Sequence, residues 1–384
     1  MVDPQRRQPG TGEPITVWGA ELLVVDLPLI TPFTTSFGTT RTRQTLLVRL
    51  YTQDGLVGYG EAAALNDPFY RPETTGTCLH ILRDYAVPLV LGKTVRSPAE
   101  LATLLAPIRG HGFAKAGLEC AFWHIAAQRD GRSLSALLGG TRSEIEVGES
   151  IGLHPTVEET CEEIATRLAE GYHRIKLKIA PGWDVHLVEA VRARFGDIVL
   201  MVDANAGYTL ADTQHVKRLD AYDLLMIEQP LAFDDIVDHA RLQQELATPI
   251  CLDESISTPE DARRALDIGA CRIINVKPGR VGGLCASLAI HDLCRERSVP
   301  LWVGGMLESG IGRAFNLAVA SLPGFTLPAD MSPAHVFYAE DLIEPTYEVS
   351  AQGTIAVPQE RGLGFAVCDD RIARYTAYRW SARE

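Results

Sequence analysis

The chain has 384 residues and a net charge of −13, with 36 Lys plus Arg against 49 Asp plus Glu. Its 46% hydrophobic and 22% charged residues are those of a folded globular protein and exclude a largely disordered chain. The acidity argues against a nucleic-acid partner or an anionic membrane surface, and the length suits two domains, or a barrel with an appendage.

Residues 1–14 are polar, carry Arg6 and Arg7 and lack an apolar core. They read as a flexible segment rather than a signal peptide. Residues 45–51 and 56–60 are strand-like runs on either side of Asp54-Gly55, the signature of a hairpin turn. Residues 73–129 read as helical; Ala116, Leu118, Cys120, Ala121, Phe122 and Ile125 form a broad apolar face. Residues 15–140 are therefore expected to form an α+β domain.

Near residue 144 the texture changes to short apolar runs alternating with amphipathic helical stretches. The runs are 145–151, 174–179, 198–203, 224–228, 250–253, 272–277, 301–303 and 325–327. The helices carry start signals, as in Ser257-Thr258-Pro259-Glu260-Asp261. Such alternation predicts an α/β fold with a parallel sheet, and eight strands predict a closed TIM-type barrel over 141–336. Residues 337–384 break the alternation. Short strands at 347–349, 354–357 and 365–367 suggest a tail that leaves the barrel and returns to the first domain. No apolar run reaches the ~18 residues of a membrane span. The eight cysteines, none in a C-x-x-C pair, read as reduced thilos of a cytoplasmic protein rather than a zinc site.

Ionisable residues end five successive runs: Lys178, Asp203, Glu228, Asp253 and Lys277, at intervals of 25, 25, 25 and 24. One strand, one helix and two loops take about that length, so the five groups stand at the C-terminal mouth of the barrel. Three converging carboxylates repel unless a divalent cation neutralises them, and all-oxygen ligation suits Mg²⁺ or Mn²⁺. A single such acid would more often pair with its own loop; three at one pitch, flanked by lysines, are poorly explained that way. Lys178 and Lys277 face each other across the mouth. Lys176 shares a face with Lys178, and a neighbouring cation depresses an amine's pKa toward that of a general base. The pattern points to abstraction of the proton α to a carboxylate, followed by reprotonation or loss of a β-leaving group. A Schiff-base lysine, a barrel reused as a binding scaffold and a phosphate turn at Gly279-Arg280-Val281-Gly282-Gly283 are weaker alternatives.

Lys176-Leu177-Lys178, Asp203-Ala204-Asn205, Glu228-Gln229-Pro230, Asp253-Glu254-Ser255 and Lys277-Pro278 resemble the enolase superfamily. A lysine ending the sixth strand resembles the muconate-lactonizing-enzyme subgroup. The run from Gly304 to Ala314, with two cap segments, Pro32–Gly38 and Gly60-Glu61-Ala62 through Asp67–Tyr70, resembles the o-succinylbenzoate synthase / N-succinylamino acid racemase family. That resemblance implies a modified barrel of (β/α)7β type under a capping domain that the C-terminal tail completes. It implies Asp203, Glu228 and Asp253 as metal ligands, Mg²⁺ as cofactor, and Lys178 and Lys277 as the acid/base pair. Ser150 and Asn205 are expected near the substrate carboxyl groups, Gly304, Met306 and Ser309 near the succinyl end, and Glu254 behind the ligands. Lys176 is a supporting residue, and Arg313 reads as a helix cap rather than a contact to an anionic tail. The cap segments are expected as loops over the mouth, with Phe33, Phe37 and Tyr70 either anchors or substrate contacts. The implied reaction is dehydration of a succinyl-hydroxycyclohexadiene carboxylate to o-succinylbenzoate on the menaquinone route. The alternative is racemisation of N-succinylamino acids, or both activities together. The implied partners are a succinyl-bearing carboxylate and further copies of the chain in a homo-oligomer.

Overall fold

The computed structural model describes residues 14–35 and 38–384. Residues 1–13 of the segment expected to be flexible, and the side chains of Phe33 and Phe37, lie outside the described residues.

The first domain is built on strands β1 (Ile15–Thr35), β2 (Gly38–Thr52), β3 (Val57–Ala62) and β4 (Thr94–Val95). The β2–β3 hairpin turns at Asp54-Gly55, where Gly55 has φ +86° and donates its N–H to Thr52 O. The helix Gly112–Asp130 lies directly on β3. Gly58 and Gly60 permit this approach, since a Cβ on either would stand 2.1 Å from a helix carbonyl oxygen. Segment 60–62 is thus the end of a strand, not a loop. Leu22, Leu46, Val48, Leu118 and Phe122 fill the core between sheet and helices.

The barrel strands are β5 (Glu144–Ile151), β6 (Arg174–Lys178), β7 (Val199–Asp203), β8 (Ile227–Glu228), β9 (Ile250–Leu252), β10 (Ile273–Val276), β11 (Leu301–Val303) and β12 (Ala329–Asp330). They run parallel in order from β11 to β5, with β12 on the far side of β5. The last strand lies beyond the expected 325–327. Phe325 makes a single bridge to Leu301 and Leu327 N donates to Leu301 O at 3.2 Å. Pro328, which has no N–H, follows at once, and pairing with β5 begins at Ala329. The barrel is therefore nearly closed. The helix Pro259–Asp267 starts as its sequence predicts, with the Thr258 side chain accepting from Asp261 N.

The tail does more than rejoin the first domain. β13 (Ile343–Glu344) pairs with β15 (Ala366–Val367), and β14 (Thr354–Ala356) pairs with barrel strand β5. Residues 347–349 form no strand. β16 (Thr376–Arg383) adds antiparallel to β1 and completes the cap sheet.

Two buried carboxylates pin cap to barrel. Glu61 on β3 accepts from Ser309 Oγ at 2.6 Å, Thr45 Oγ1 at 2.8 Å, and the backbone N–H of Gly312 at 3.0 Å and of Ser309 at 3.2 Å. It thereby caps the barrel helix Gly310–Ala320. Glu119 accepts from Cys285 N at 2.7 Å, at the start of the barrel helix Leu284–Glu296, and from Trp123 Nε1 at 3.0 Å. Burial pushes both carboxyls up, and their donors pull them back. Glu61→Gln turns an NH₂ group toward these donors and leaves at least one without an acceptor. Urea unfolding should show a loss of about 1–3 kcal/mol; unchanged stability would mean that Glu61 does not pin the two domains.

Candidate active site

Strand register sets the site. Lys178 pairs with Asp203, and Asp203 with Glu228, so the three groups share one height. Asp253 stands two residues beyond Cys251, the register partner of Glu228. Lys277 follows β10 directly and opens the short helix Pro278–Val281. β7, β8 and β9 separate β6 from β10, which places Lys178 and Lys277 on opposite sides of the barrel. Below them Met201, Met226, Cys251, Ile273 and Trp302 plug the interior.

All the ionisable groups at the mouth are buried. Lys178 Nζ donates to Asp203 Oδ2 and to Asn205 Oδ1, each at 2.6 Å. Lys176 Nζ lies 3.3 Å from Glu228 Oε2 and 3.6 Å from Asp203 Oδ2, and pairs closely with Asp330. Lys277 Nζ donates to Asp253 Oδ2 at 2.8 Å and to the Tyr70 hydroxyl at 3.2 Å, and lies 4.6 Å from the Tyr70 ring centre. The other Asp253 oxygen accepts from Arg280 and, at 3.0 Å, from Tyr70.

Electrostatics follow from this crowding. Burial raises Asp203, but Lys178 and Lys176 outweigh it and hold the carboxyl well below its usual range. Burial and the neighbouring Asp203 push Glu228 up. The same two causes push Glu254 up to about 7. Burial favours a neutral Lys176, yet Asp330, Glu228 and Asp203 hold it above the ordinary lysine range. Lys277 is likewise held up against burial, by Tyr70, Glu228 and Glu254. At Lys176 the carboxylates thus outweigh both burial and the neighbouring Lys277.

Among the described residues, no three acid, His or Cys side chains form a ready-made metal cage, and both Asp253 oxygens are engaged by Lys277, Arg280 and Tyr70. The donor chemistry nevertheless suits a hard cation. Asp203 and Glu228 converge on one ammonium, that of Lys176. Glu254 Oε2 is buried without a partner, while Oε1 accepts from Asn205 Nδ2 at 3.1 Å. Buried oxygens that rely on borrowed lysine charge, one of them unpartnered, are what a divalent cation would satisfy.

A cavity of about 880 Å³, counted to its open mouth, is lined by Tyr70, Ser150, Lys176, Lys178, Asn205, Lys277 and Met306; Asp203, Glu228, Asp253 and Glu254 are not among its lining residues and reach it through the lysines and Asn205 they contact. Ser150 Oγ is buried without a partner. Gly304 and Ser309 are not among the lining residues. Gly304 lies behind Lys277, where a Cβ would stand 2.7 Å from the lysine Cε, and Ser309 turns its hydroxyl to Glu61. Arg313 lines the cavity from within the helix Gly310–Ala320, so it is not a helix cap.

Several groups escaped the sequence reading. Asn275, two residues before Lys277 and on the same strand face, donates to Glu228 Oε1 at 2.6 Å; the period of two could have found it. Arg280 reaches Asp253 because Pro278 starts a helical turn after Lys277. The Gly-rich segment around it therefore serves the acid cluster, not a phosphate. Arg71 ties the Tyr70 loop to the barrel, donating to Glu254 O and Ser257 Oγ, each at 2.7 Å. No local pattern announces that contact.

Residues 159–371 match the family model "Enolase C-terminal domain-like", and residues 19–139 match "Mandelate racemase / muconate lactonizing enzyme, N-terminal domain". The o-succinylbenzoate synthase of Geobacillus kaustophilus is 51% identical, over 92% of this chain and 94% of its own length. The N-succinylamino acid racemase of Thermus thermophilus is 48% identical, over 90% of this chain and 92% of its own. A solved enolase-superfamily member from Listeria innocua superposes with a TM-score of 0.93 at 40% identity, covering 96% of this chain and 99% of the other. The chain belongs to the enolase superfamily, within the group of o-succinylbenzoate synthases and N-succinylamino acid racemases.

Proposed function

We propose that this enzyme removes the proton α to a carboxylate of a succinyl-bearing substrate, with Lys178 as the base and Asp203, Glu228 and Asp253 as ligands of a divalent cation, Mg²⁺ or Mn²⁺. The observation that carries this reading is the pair of buried lysines entering one cavity from opposite sides of the barrel, beside three buried acids. Enolase-superfamily sites combine such a base with Mg²⁺. The bound cation would supply positive charge against the negative charge that grows on the substrate carboxylate. Asp253 must then exchange part of its hold on Lys277, Arg280 and Tyr70 for the cation.

In the synthase reaction, Lys178 takes the ring proton next to the carboxylate. Its ammonium then returns a proton to the departing hydroxyl, the C–O bond breaks, water leaves and the ring becomes aromatic. Lys277 transfers no proton in this scheme; its ammonium faces the ring, as it faces the Tyr70 ring here. In the racemase reaction, one lysine takes the α-proton and the other returns a proton to the opposite face. The opposed lysines favour keeping this second reading. Ser150 and Asn205 line the cavity where the reacting carboxylate would sit; Glu254 and Lys176 tune the charge around the acids. The eight cysteines are free thiols, which fits a reducing cytoplasm, and the active form is proposed to be a homo-oligomer.

Chelation tests the metal. EDTA treatment followed by gel filtration should abolish turnover of both substrate types, and Mg²⁺ or Mn²⁺ should restore it. Full turnover after chelation would contradict the ligand assignment.

A further inference from the structure

The buried arginines of this protein differ in how they are satisfied. Arg174 and Arg280 each pair with an aspartate. Arg43 spreads its donors over four backbone carbonyls, those of Gln44, Ala63, Ala64 and Leu307. Arg313 has neither arrangement. It is 3% exposed, yet among the described residues it forms no ion pair. Its single hydrogen bond runs from one terminal nitrogen to Ser332 O at 2.5 Å. The guanidinium lies 5.1 Å from the centre of the Phe337 ring. Of the nearby acids, Asp341 attracts the guanidinium without touching it, and its Oδ2 is buried without a hydrogen-bond partner. Asp341 Oδ1 accepts from Gly310 N at 2.7 Å and Leu342 N at 2.6 Å. Glu308 accepts from Met306 N at 2.8 Å and Asn316 Nδ2 at 3.0 Å.

Arg313, Ser332 and Phe337 all line the cavity that holds the catalytic lysines. A buried guanidinium with no carboxylate in direct contact and most of its donors unused is costly. The planar guanidinium, with donors to spare, suits bidentate binding of a carboxylate. The catalytic lysines already line the part of the cavity where the reacting carboxylate belongs. The Arg313 end therefore calls for a second anionic group on the same ligand.

We propose that Arg313 is a specificity-determining residue that binds the terminal carboxylate of the substrate's acyl tail, so that the cavity selects dianionic substrates. This deepens the function proposed above and rests on it. Phe337 holds the guanidinium plane from one side, and Ser332 O fixes one of its nitrogens.

The test compares N-succinyl-L-phenylalanine with its half-amide, in which the tail carboxylate becomes a carboxamide of nearly the same shape. The wild type should prefer the succinyl substrate by about 10- to 100-fold in kcat/KM, the range of a charge-assisted hydrogen bond. In Arg313→Gln this ratio should fall toward one, mainly through KM, and Arg313→Lys should restore part of it. A wild-type ratio near one would overturn the proposal. So would a ratio that Arg313→Gln leaves unchanged while both substrates slow together, since Arg313 would then only hold the Ser332–Phe337 segment. A second comparison needs no variant: o-succinylbenzoate should inhibit the wild type at least 10-fold more strongly than its half-amide, and equal inhibition would again overturn the assignment. Exchange of the α-proton in D₂O separates the two levels. Equal exchange on both phenylalanine derivatives sinks only the role of Arg313. If neither these derivatives nor the cyclohexadienol acid reacts, the underlying function fails and this proposal falls with it.

Discussion

Lys178→Met is expected to abolish both α-proton exchange and dehydration, lowering kcat by about 10³-fold or more, toward the upper end of what a positioned acid/base group contributes. Lys178 is the lysine that both reactions need, and its ammonium touches Asp203 and Asn205 at 2.6 Å. The fold should survive, because Asp203 keeps Lys176 at 3.6 Å as a counter-charge. Circular dichroism and urea unfolding check that point alongside the kinetics. Lys277→Arg should separate the reactions. It keeps the cation beside Asp253 but supplies no usable base, so racemisation should vanish while some dehydration remains. Equal loss of both would mean that Lys277 transfers a proton in each, or that the site has collapsed around Asp253.

Asp330→Ala should cost about 3–5 kcal/mol of stability, since it strands two buried cations. Asp330 pairs with Arg174 at 2.5 Å and closely with Lys176, and both cations lie against Trp302, at 5.3 and 5.0 Å from its ring centre. Asp330→Asn keeps the shape and removes the charge, so it isolates the ionic part. Burial raises the Asp330 carboxyl, but Arg174 and Lys176 outweigh it and the folded value is lowered. A lowered acid stabilises the fold above the unfolded aspartate value of about 3.9, and that share is lost as pH falls through the folded value. The advantage of wild type over Asp330→Asn in urea unfolding should therefore be full at pH 7 and shrink below about pH 4. A constant advantage would assign the effect to packing.

The chemistry at the mouth was legible because of a physical conflict. Buried strands reject charge, so Lys178, Asp203, Glu228, Asp253 and Lys277 stood out at the ends of apolar runs, and their pitch matched one strand–helix unit. Register then placed the first three at one height. What remained hidden depends on contacts distant in sequence. Glu61 looks like an ordinary strand residue until it meets the start of a helix 248 residues later. Arg313 looked like a helix cap because local spacing cannot show that its guanidinium reaches a cavity. Phe325 drew the last strand too early because an apolar run marks burial, not pairing, and Pro328 interrupts the ladder there. β16 was missed because its residues alternate weakly and much of its surface is exposed.

The most direct measurement is proton NMR in D₂O with Mg²⁺, offering N-succinyl-L-phenylalanine and, separately, the succinyl-hydroxycyclohexadiene carboxylate. Abstraction of an α-proton by Lys178 predicts loss of the α-hydrogen signal from the first substrate, aromatisation of the second, or both. Exchange accompanied by loss of optical activity would make Lys277 the second acid/base, whereas aromatisation without exchange would mark a dedicated synthase. If neither substrate reacts while the protein binds Mg²⁺, the assignment of a succinyl-bearing carboxylate as substrate is contradicted.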